Sequence, residues 1–231
     1  MKTSKNIFKV ETMSFLKELA ANNNKDWFHS HQIEYETYLK KPLRDILSIM
    51  AKRFADLQLP YHASPKLSLF RINRDIRFSK NKDPYKTNIG IFFPYSLEPL
   101  AKKSVDKPGL YFHIEPGQCF IAGGIHIPTS DDIKKIRYYI AENWKLLENI
   151  IKTDSFSSEF PIILNGDKLK RMPRGFTEDH PKSDWIKLKS FIVQEEVNEK
   201  LFLRNDLVDT IERKAISIAP FLDFLYNAVN E

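Results

Sequence analysis

Cysteine is almost absent from this chain, and its scarcity excludes two kinds of structure. Cys119 is the only cysteine among 231 residues, so the chain can form no internal disulfide and no zinc site built mainly from thiolates. We also predict that Cys119 is not a nucleophile, because the alternation around it places it on the core-facing side of a strand. The sequence therefore points away from disulfide frameworks and from thiolate chemistry.

Long hydrophobic runs are also missing. The longest apolar stretches, such as residues 89–97, are far shorter than the roughly 20 residues that a membrane-spanning helix needs. Residues 1–10 lack the apolar stretch of a signal peptide. We therefore expect no membrane association and a cytoplasmic location.

Common catalytic and nucleotide-binding signatures are absent as well. The sequence has no glycine-rich phosphate loop, no Ser/His/Asp order typical of hydrolases and no recognised DNA-binding helix pattern. These signatures therefore assign neither a reaction nor a cofactor, and the cofactor and the oligomeric state stay unknown.

The composition is that of a globular protein, with 42% hydrophobic and 13% aromatic residues. Hydrophobic residues recur first with a period near 3.6 residues, then with a period of two, and then again near 3.6. This pattern predicts an α+β fold: a mainly antiparallel sheet covered by N-terminal, middle and C-terminal helices. In the strand-rich part we expect strands around Leu67 and Leu69 and from Ile89 to Phe93. We predict one domain over 1–231, with these parts: helical 1–58, strand-rich 60–127 and mixed helical 128–231.

The clearest local structure is a hairpin over residues 110–126 around Pro116-Gly117. An even loop places 113 opposite 120, so that alternate residues share a face. One face is predicted to be buried and carries Phe112, Ile114, Cys119, Ile121 and Ile125. The other face is chemically richer and carries Tyr111, His113, Glu115, Gln118, Phe120, Ala122, Gly124 and His126.

The net charge of +6 is concentrated in two segments. Residues 66–88 hold seven Lys/Arg against two Asp, and residues 165–190 hold seven Lys/Arg against four Asp/Glu. Large apolar residues separate the arginines of the first segment, which favours guanidinium groups held in fixed positions over an ordinary solvated charge run. If folding brings both segments together, they would attract an anion strongly.

Arginine suits planar, bidentate contact with phosphate or carboxylate better than lysine does. We predict a composite basic site for a small phosphorylated or carboxylated ligand, with Gly124 allowing close approach to the sheet. The predicted ligand-binding residues are Arg71, Asn73, Arg74, Arg77, Lys82, Tyr85, Lys86, Gly124, Arg171 and Arg174.

His113 and Glu115 lie two residues apart on one strand face, where they suit proton transfer. With His126 they could also form a metal site. However, the hairpin pairing places His126 opposite residue 107, several residue pairs from His113. We therefore predict catalytic roles for His113 and Glu115 and no metal.

Three stretches carry a family resemblance. They are Phe70-Arg71-Ile72-Asn73-Arg74-Asp75-x-Arg77-Phe78-Ser79-Lys80-x-Lys82-x-Pro84-Tyr85-Lys86-Thr87, Tyr111-x-His113-Ile114-Glu115-Pro116-Gly117 with Gly123-Gly124, and Lys170-Arg171-x-Pro173-Arg174-Gly175-Phe176 with His180-Pro181. Over nearly its whole length the chain resembles the family called domain of unknown function 2461. That resemblance implies a single domain and no particular activity.

Two other hypotheses stay open. The protein could bind nucleic acid, with aromatic side chains stacking on bases and arginines contacting phosphates. It could instead be a scaffold in which the arginines form structural ion pairs. The arginines concerned are Arg71, Arg74, Arg77, Arg171 and Arg174.

Overall fold

The computed structural model describes residues 6–77, 80–102, 105–163 and 167–231. Phe78 and Ser79, which belong to the first basic segment, lie outside the described residues. The described part combines helices with an antiparallel sheet, so the predicted α+β class is confirmed.

The N-terminal part is helical. Its longest helix begins with Pro42 in the first turn, a position where the missing N–H of proline costs nothing. Leu43, Ile46 and Met50 then recur on one side and are buried. The elements are α1 (Val10–Ala21), α2 (Lys25–Ser30), α3 (Gln32–Tyr35), a π-helical turn (Glu36–Lys40) and α4 (Lys41–Asp56).

Among the described residues, five strands form one sheet in the order β1-β2-β3-β5-β4, and every neighbouring pair is antiparallel. The predicted strand from Ile89 to Phe93 is confirmed as part of β1. The strands are β1 (Ile89–Pro94), β2 (Gly109–Ile114), β3 (Phe120–Ile125), β4 (Ile162–Ile163) and β5 (Phe191–Glu196).

The strand predicted around Leu67 is wrong. Residues Pro65–Ser68 form the short helix α5, because the Ser64 side chain caps the Leu67 N–H and Pro65 stands in the first turn. Leu69 then returns to extended backbone and forms an isolated bridge with Ile91 of β1. The first basic segment therefore begins at the edge of the sheet.

The predicted hairpin register is confirmed, since His113 pairs with Phe120 and Tyr111 pairs with Ala122. The face that carries Phe112 and Ile121 is buried, as the alternation indicated. A long C-terminal helix covers that face so closely that a Cβ on Gly123 would lie 2.0 Å from the Ile218 side chain. His113 and its neighbours lie on the opposite face, which we call the open face.

The C-terminal half supplies the remaining helices. In the middle of the chain, Asn143 separates two consecutive helices. The elements are α6 (Ser130–Glu142), α7 (Trp144–Lys152), α8 (Asp154–Glu159), α9 (Ser183–Ile186), a 3₁₀ turn (Glu199–Leu203) and α10 (Leu207–Asn230). Helix α10 packs against α4, α6 and β3. Within the described ranges, no helix combines the length and apolarity that crossing a membrane would require.

Candidate functional site

His113 lies at the centre of a hydrogen-bonded chain on the open face. Its Nε2 is 3.0 Å from Glu115 Oε2, and its Nδ1 is 3.0 Å from the Tyr111 hydroxyl oxygen. Its ring stacks on Phe120, with 4.5 Å between centroids and 8° between planes. The two candidate catalytic residues therefore do contact each other, and stacking fixes the orientation of the imidazole.

Two further members of the chain precede β1. Thr87 donates a 2.6 Å hydrogen bond to Glu115 Oε1, and the Asn88 amide nitrogen lies 3.3 Å from His113 Nδ1. Because β1 pairs Ile89 with Ile114, residues 87 and 88 necessarily lie beside the end of β2. The sequence prediction missed both residues. The pairing of β1 with β2, had it been known, would have identified them.

These contacts favour one tautomer of His113. The Tyr111 hydroxyl and the Asn88 amide can both donate to His113 Nδ1, an arrangement that suits the tautomer with its proton on Nε2. Burial, and next the charge of Glu115, raise the pKa of Tyr111 to about 12, so its hydroxyl keeps its proton. Nδ1 therefore has a lone pair that can accept a proton.

Glu115 is held as a carboxylate. Burial acts to raise its pKa, but hydrogen bonds from Thr87 and His113 and the positive charge of Arg74 outweigh burial and lower it. An ionised Glu115 accepts a hydrogen bond from the Nε2–H of His113. It would stabilise the imidazolium that forms when Nδ1 accepts a proton. The pair is therefore suited to general-base chemistry.

Three cations of the first basic segment converge beside this chain. Backbone hydrogen bonds from Arg74 to Pro84 and from Lys86 to Ile72, each 2.8 Å long, fold the segment back on itself. Burial, followed by the charges of Arg71 and Arg74, lowers the pKa of Lys86. We call Arg71, Arg74 and Lys86 the cationic cluster. Among the described residues, the buried Nε of Arg74 has no hydrogen-bond partner.

A cavity of about 270 Å³ joins the cationic cluster to the hydrogen-bonded side chains around His113, which we call the histidine chain. Arg71 and Lys86 line this cavity, which we call the anion cavity, and so do Asn88 and Tyr111. The two residues that contact His113 Nδ1 therefore face the same space as two of the cations.

A second cavity of about 390 Å³ lies next to it on the open face. Gly124 and His126 line it together with several aromatic side chains. Gly124 has a φ of +126°, and a Cβ there would lie 1.9 Å from the Phe191 carbonyl oxygen, so only glycine fits. Among the described residues, no three His, Cys, Asp or Glu side chains are grouped so that they could hold a metal ion.

A third cleft, of about 750 Å³, is bordered by Glu115. Cys119 lines it, and burial raises the pKa of the Cys119 thiol, which disfavours the reactive thiolate. Lys17 on its rim lies 3.8 Å from Glu199, so positive charge there is partly neutralised. The anion cavity is smaller but has the stronger positive charge.

Several other predicted ligand-binding residues have structural contacts. Arg77 lies 2.7 Å from Asp75, and Lys82 donates to the Ile76 carbonyl oxygen at 2.9 Å. The backbone of Asn73 bridges that of Tyr85, another predicted ligand-binding residue. These contacts shape the first basic segment.

Tyr85 is buried and anchors that segment to the N-terminal helices. Its ring stacks on Phe28 of α2 with 4.0 Å between centroids. The side chain of Asn23 accepts from the Tyr85 N–H at 3.1 Å and donates to the Tyr85 carbonyl oxygen at 3.0 Å. Tyr85 therefore holds the cationic cluster in place rather than facing the anion cavity.

The second basic segment packs against α6. Phe176 contacts the Tyr138 ring with 4.9 Å between centroids, and the His180 ring lies 3.2 Å from the Ala141 carbonyl oxygen. Arg171 and Arg174 are exposed. Since α6 packs on α10, which covers the buried face of the sheet, a role for these two arginines in the site stays a prediction.

Comparison with known proteins gives one match. A family model described as a conserved hypothetical protein (DUF2461) matches residues 11–224. No curated protein and no solved structure matches the chain. The matched residues include both basic segments and all the side chains that are hydrogen-bonded around His113. The protein therefore belongs to the DUF2461 family of conserved hypothetical proteins.

Proposed function

We propose that this protein binds a small phosphorylated or carboxylated molecule in the anion cavity. The observation that carries the proposal is the convergence of Arg71, Arg74 and Lys86 beside one cavity. Burial, and next the like charges of Arg71 and Arg74, lower the pKa of Lys86. Asp75 neutralises the cluster only in part, because it lies 3.9 Å from Arg71 and is bound more closely by Arg77. A bound anion would relieve the repulsion and accept bidentate hydrogen bonds from arginine.

The adjoining histidine chain supports a reaction on that ligand. His113 Nδ1 has a lone pair directed at the Tyr111 hydroxyl, and both Tyr111 and Asn88 line the anion cavity. A ligand proton would pass to Nδ1 directly or through the Tyr111 oxygen, while Glu115 stabilises the imidazolium from the other side. The protein would then be an enzyme that uses His113 and Glu115 for proton transfer.

A thermal-shift titration tests the binding proposal. We expect inorganic phosphate, a sugar phosphate or a nucleoside monophosphate to raise the melting temperature of the parent. At one hundred times the dissociation constant the gain is about 2.7 kcal/mol, or about 5 to 10 °C for a chain of this length. Arg74→Ala should lose that shift. Arg204→Ala is the matched control, since Arg204 is exposed and bound to Asp206.

Two outcomes would count against the proposal. If the parent, Arg74→Ala and Arg204→Ala show equal shifts, the anion cavity does not cause them. If phosphate shifts the melting temperature no more than matched chloride does, the arginines are better explained as structural ion pairs. Binding of single-stranded oligonucleotides that weakens steeply with salt would favour the nucleic-acid hypothesis, because each phosphate contact releases counterions.

A further inference from the structure

The cavity of about 390 Å³ has aromatic walls. Four rings of the described residues line it, and we call it the aromatic cleft. They are Phe70, Phe92, Tyr111 and Phe120. Tyr111 and Phe120 have ring centroids 5.8 Å apart and inclined by 53°, so ring edges as well as ring faces border the space. Edge-to-face and offset contacts are the geometries that a further aromatic ring prefers.

Small residues form the floor of the cleft. Along β3 the open face carries Ala122 and Gly124 where larger side chains would fill the space. On the neighbouring β5, Gln194 pairs with Ala122. Its amide and the His126 imidazole supply the only polar side chains among the described residues of this lining apart from the Tyr111 hydroxyl. The cleft therefore offers a largely apolar slot with hydrogen-bonding groups at its border.

The aromatic cleft and the anion cavity are adjacent. Phe70 and Tyr111 line both, and their rings meet edge to face with 6.0 Å between centroids. The Lys86 ammonium lies 5.5 Å from the centroid of the Phe70 ring. A single molecule could therefore place a charged group beside Lys86 and an uncharged ring in the cleft.

We propose that the ligand is an aromatic anion, in which a planar ring carries a phosphate or carboxylate. The anionic group occupies the anion cavity and the ring enters the aromatic cleft over Ala122. This inference rests on the proposed function and adds the chemical class of the ligand. Ring edges at the walls favour a flat unsaturated ring over a flexible alkyl chain, since a chain has no quadrupole to match them.

Calorimetric titration of the parent with three probes tests this inference. The probes are phenyl phosphate, glycerol 3-phosphate and inorganic phosphate at matched ionic strength. Burial of a ring in an apolar slot should make phenyl phosphate bind at least about tenfold more tightly than either of the others. Ala122→Leu fills the slot, and should bring the dissociation constants of phenyl phosphate and inorganic phosphate to within about a factor of two of each other.

Phe120→Leu is the second variant, in case Ala122→Leu does not fold. It removes one aromatic wall and should reduce the preference for phenyl phosphate by about threefold or more. Far-ultraviolet circular dichroism and thermal melts establish folding for both variants. A preference that both folded variants keep in full would overturn the inference.

The probes separate this inference from the proposal on which it rests. If all three bind the parent with equal affinity, the anion cavity stands and the aromatic ligand is ruled out. If none binds, the proposed function fails, and the ligand class fails with it. Binding of phenyl phosphate alone supports both.

Discussion

Lys214 and Lys86 are both withdrawn from solvent, but the charges that surround them differ. Lys214 on α10 has a side chain that is only 4% exposed. Its ammonium donates to Glu159 Oε2 at 2.8 Å, to the Glu159 carbonyl oxygen at 2.6 Å and to the carboxylate of Glu195. It also lies 5.0 Å from the centroid of the Phe160 ring. Its buried charge is therefore fully compensated by the protein.

Lys86 meets Arg71 and Arg74 instead. Burial and these like charges lower its pKa, and its cation–π contact with Phe70 offsets only part of the cost. The comparison separates two uses of a partly buried cation. Lys214 has carboxylate partners from the protein itself. For Lys86, which lies beside like charges, our proposal is that an external anion supplies the compensating charge.

The largest expected effect concerns Lys214. Lys214→Met should lower the free energy of unfolding by about 3 kcal/mol, because Glu159 and Glu195 keep their charges and lose their shared partner. Urea denaturation at pH 7 measures the change. Arg213→Met is the control, since Arg213 also binds Glu159 but is 56% exposed, and should cost less than about 1 kcal/mol. Equal losses of stability in the two variants would show that the contribution of each cation does not depend on its burial.

A smaller effect is expected for Glu115→Gln, about 1 kcal/mol at pH 7. The pKa of Glu115 is lower in the folded than in the unfolded protein. Its contribution is therefore complete above the unfolded value and is lost as the pH falls through the folded value. The parent should lose stability faster than Glu115→Gln as the pH drops below about 4.5. Urea titrations across this range measure it.

The matched control for that measurement is Glu196→Gln, at an exposed position of β5 next to Phe120. Glu196→Gln should follow the parent through the acid range. Parallel curves for the parent and Glu115→Gln would mean that Thr87, His113 and Arg74 do not hold Glu115 as a carboxylate.

Lys86→Met should change the free energy of unfolding by less than about 1 kcal/mol, since relief of repulsion offsets the lost contact with the Phe70 ring. Urea denaturation beside Lys214→Met gives the comparison directly. The variant should also lose the stabilisation by phosphate that we expect for the parent. A loss as large as that of Lys214→Met would make Lys86 a structural residue and would break the contrast between the two lysines.

The smallest effect is expected for Arg174→Ala. The exposed Arg174 belongs to a segment that packs on α6, so the variant should keep the parent's stability within about 0.5 kcal/mol. The phosphate shift of this variant in the thermal melt tests the predicted role of the second basic segment. A shift kept in full, while Arg74→Ala loses it, would separate that segment from the site. Loss of the shift in Arg174→Ala would instead show that the two basic segments act on one ligand.

Local patterns predicted the parts of this protein that depend on neighbouring residues. The turn at Pro116-Gly117 and the alternation on both sides of it fix each other, so the hairpin register and the pairing of His113 with Phe120 followed directly. The same logic failed at Leu67, where a serine cap and Pro65 override a short apolar alternation.

Contacts between distant residues could not be predicted in this way. The contact of Thr87 with Glu115 depends on the pairing of β1 with β2 across a long loop, and no local pattern encodes that pairing. The aromatic cleft depends on Phe70 reaching Tyr111, 41 positions further along the chain. Residue types indicated the chemistry of the candidate site, but only the fold showed which residues form it.

The two hydrogen bonds between Asn23 and Tyr85 have a dynamic consequence. The side-chain amide of Asn23 bonds to both the N–H and the carbonyl oxygen of Tyr85, as a paired strand would. The turn between α1 and α2 is thereby attached to the segment that carries the cationic cluster. Opening of the segment around Lys86 requires release of that turn, and both therefore belong to one cooperative unit in amide hydrogen exchange. Occupation of the anion cavity would then slow exchange in α2, although no residue of α2 lines the cavity.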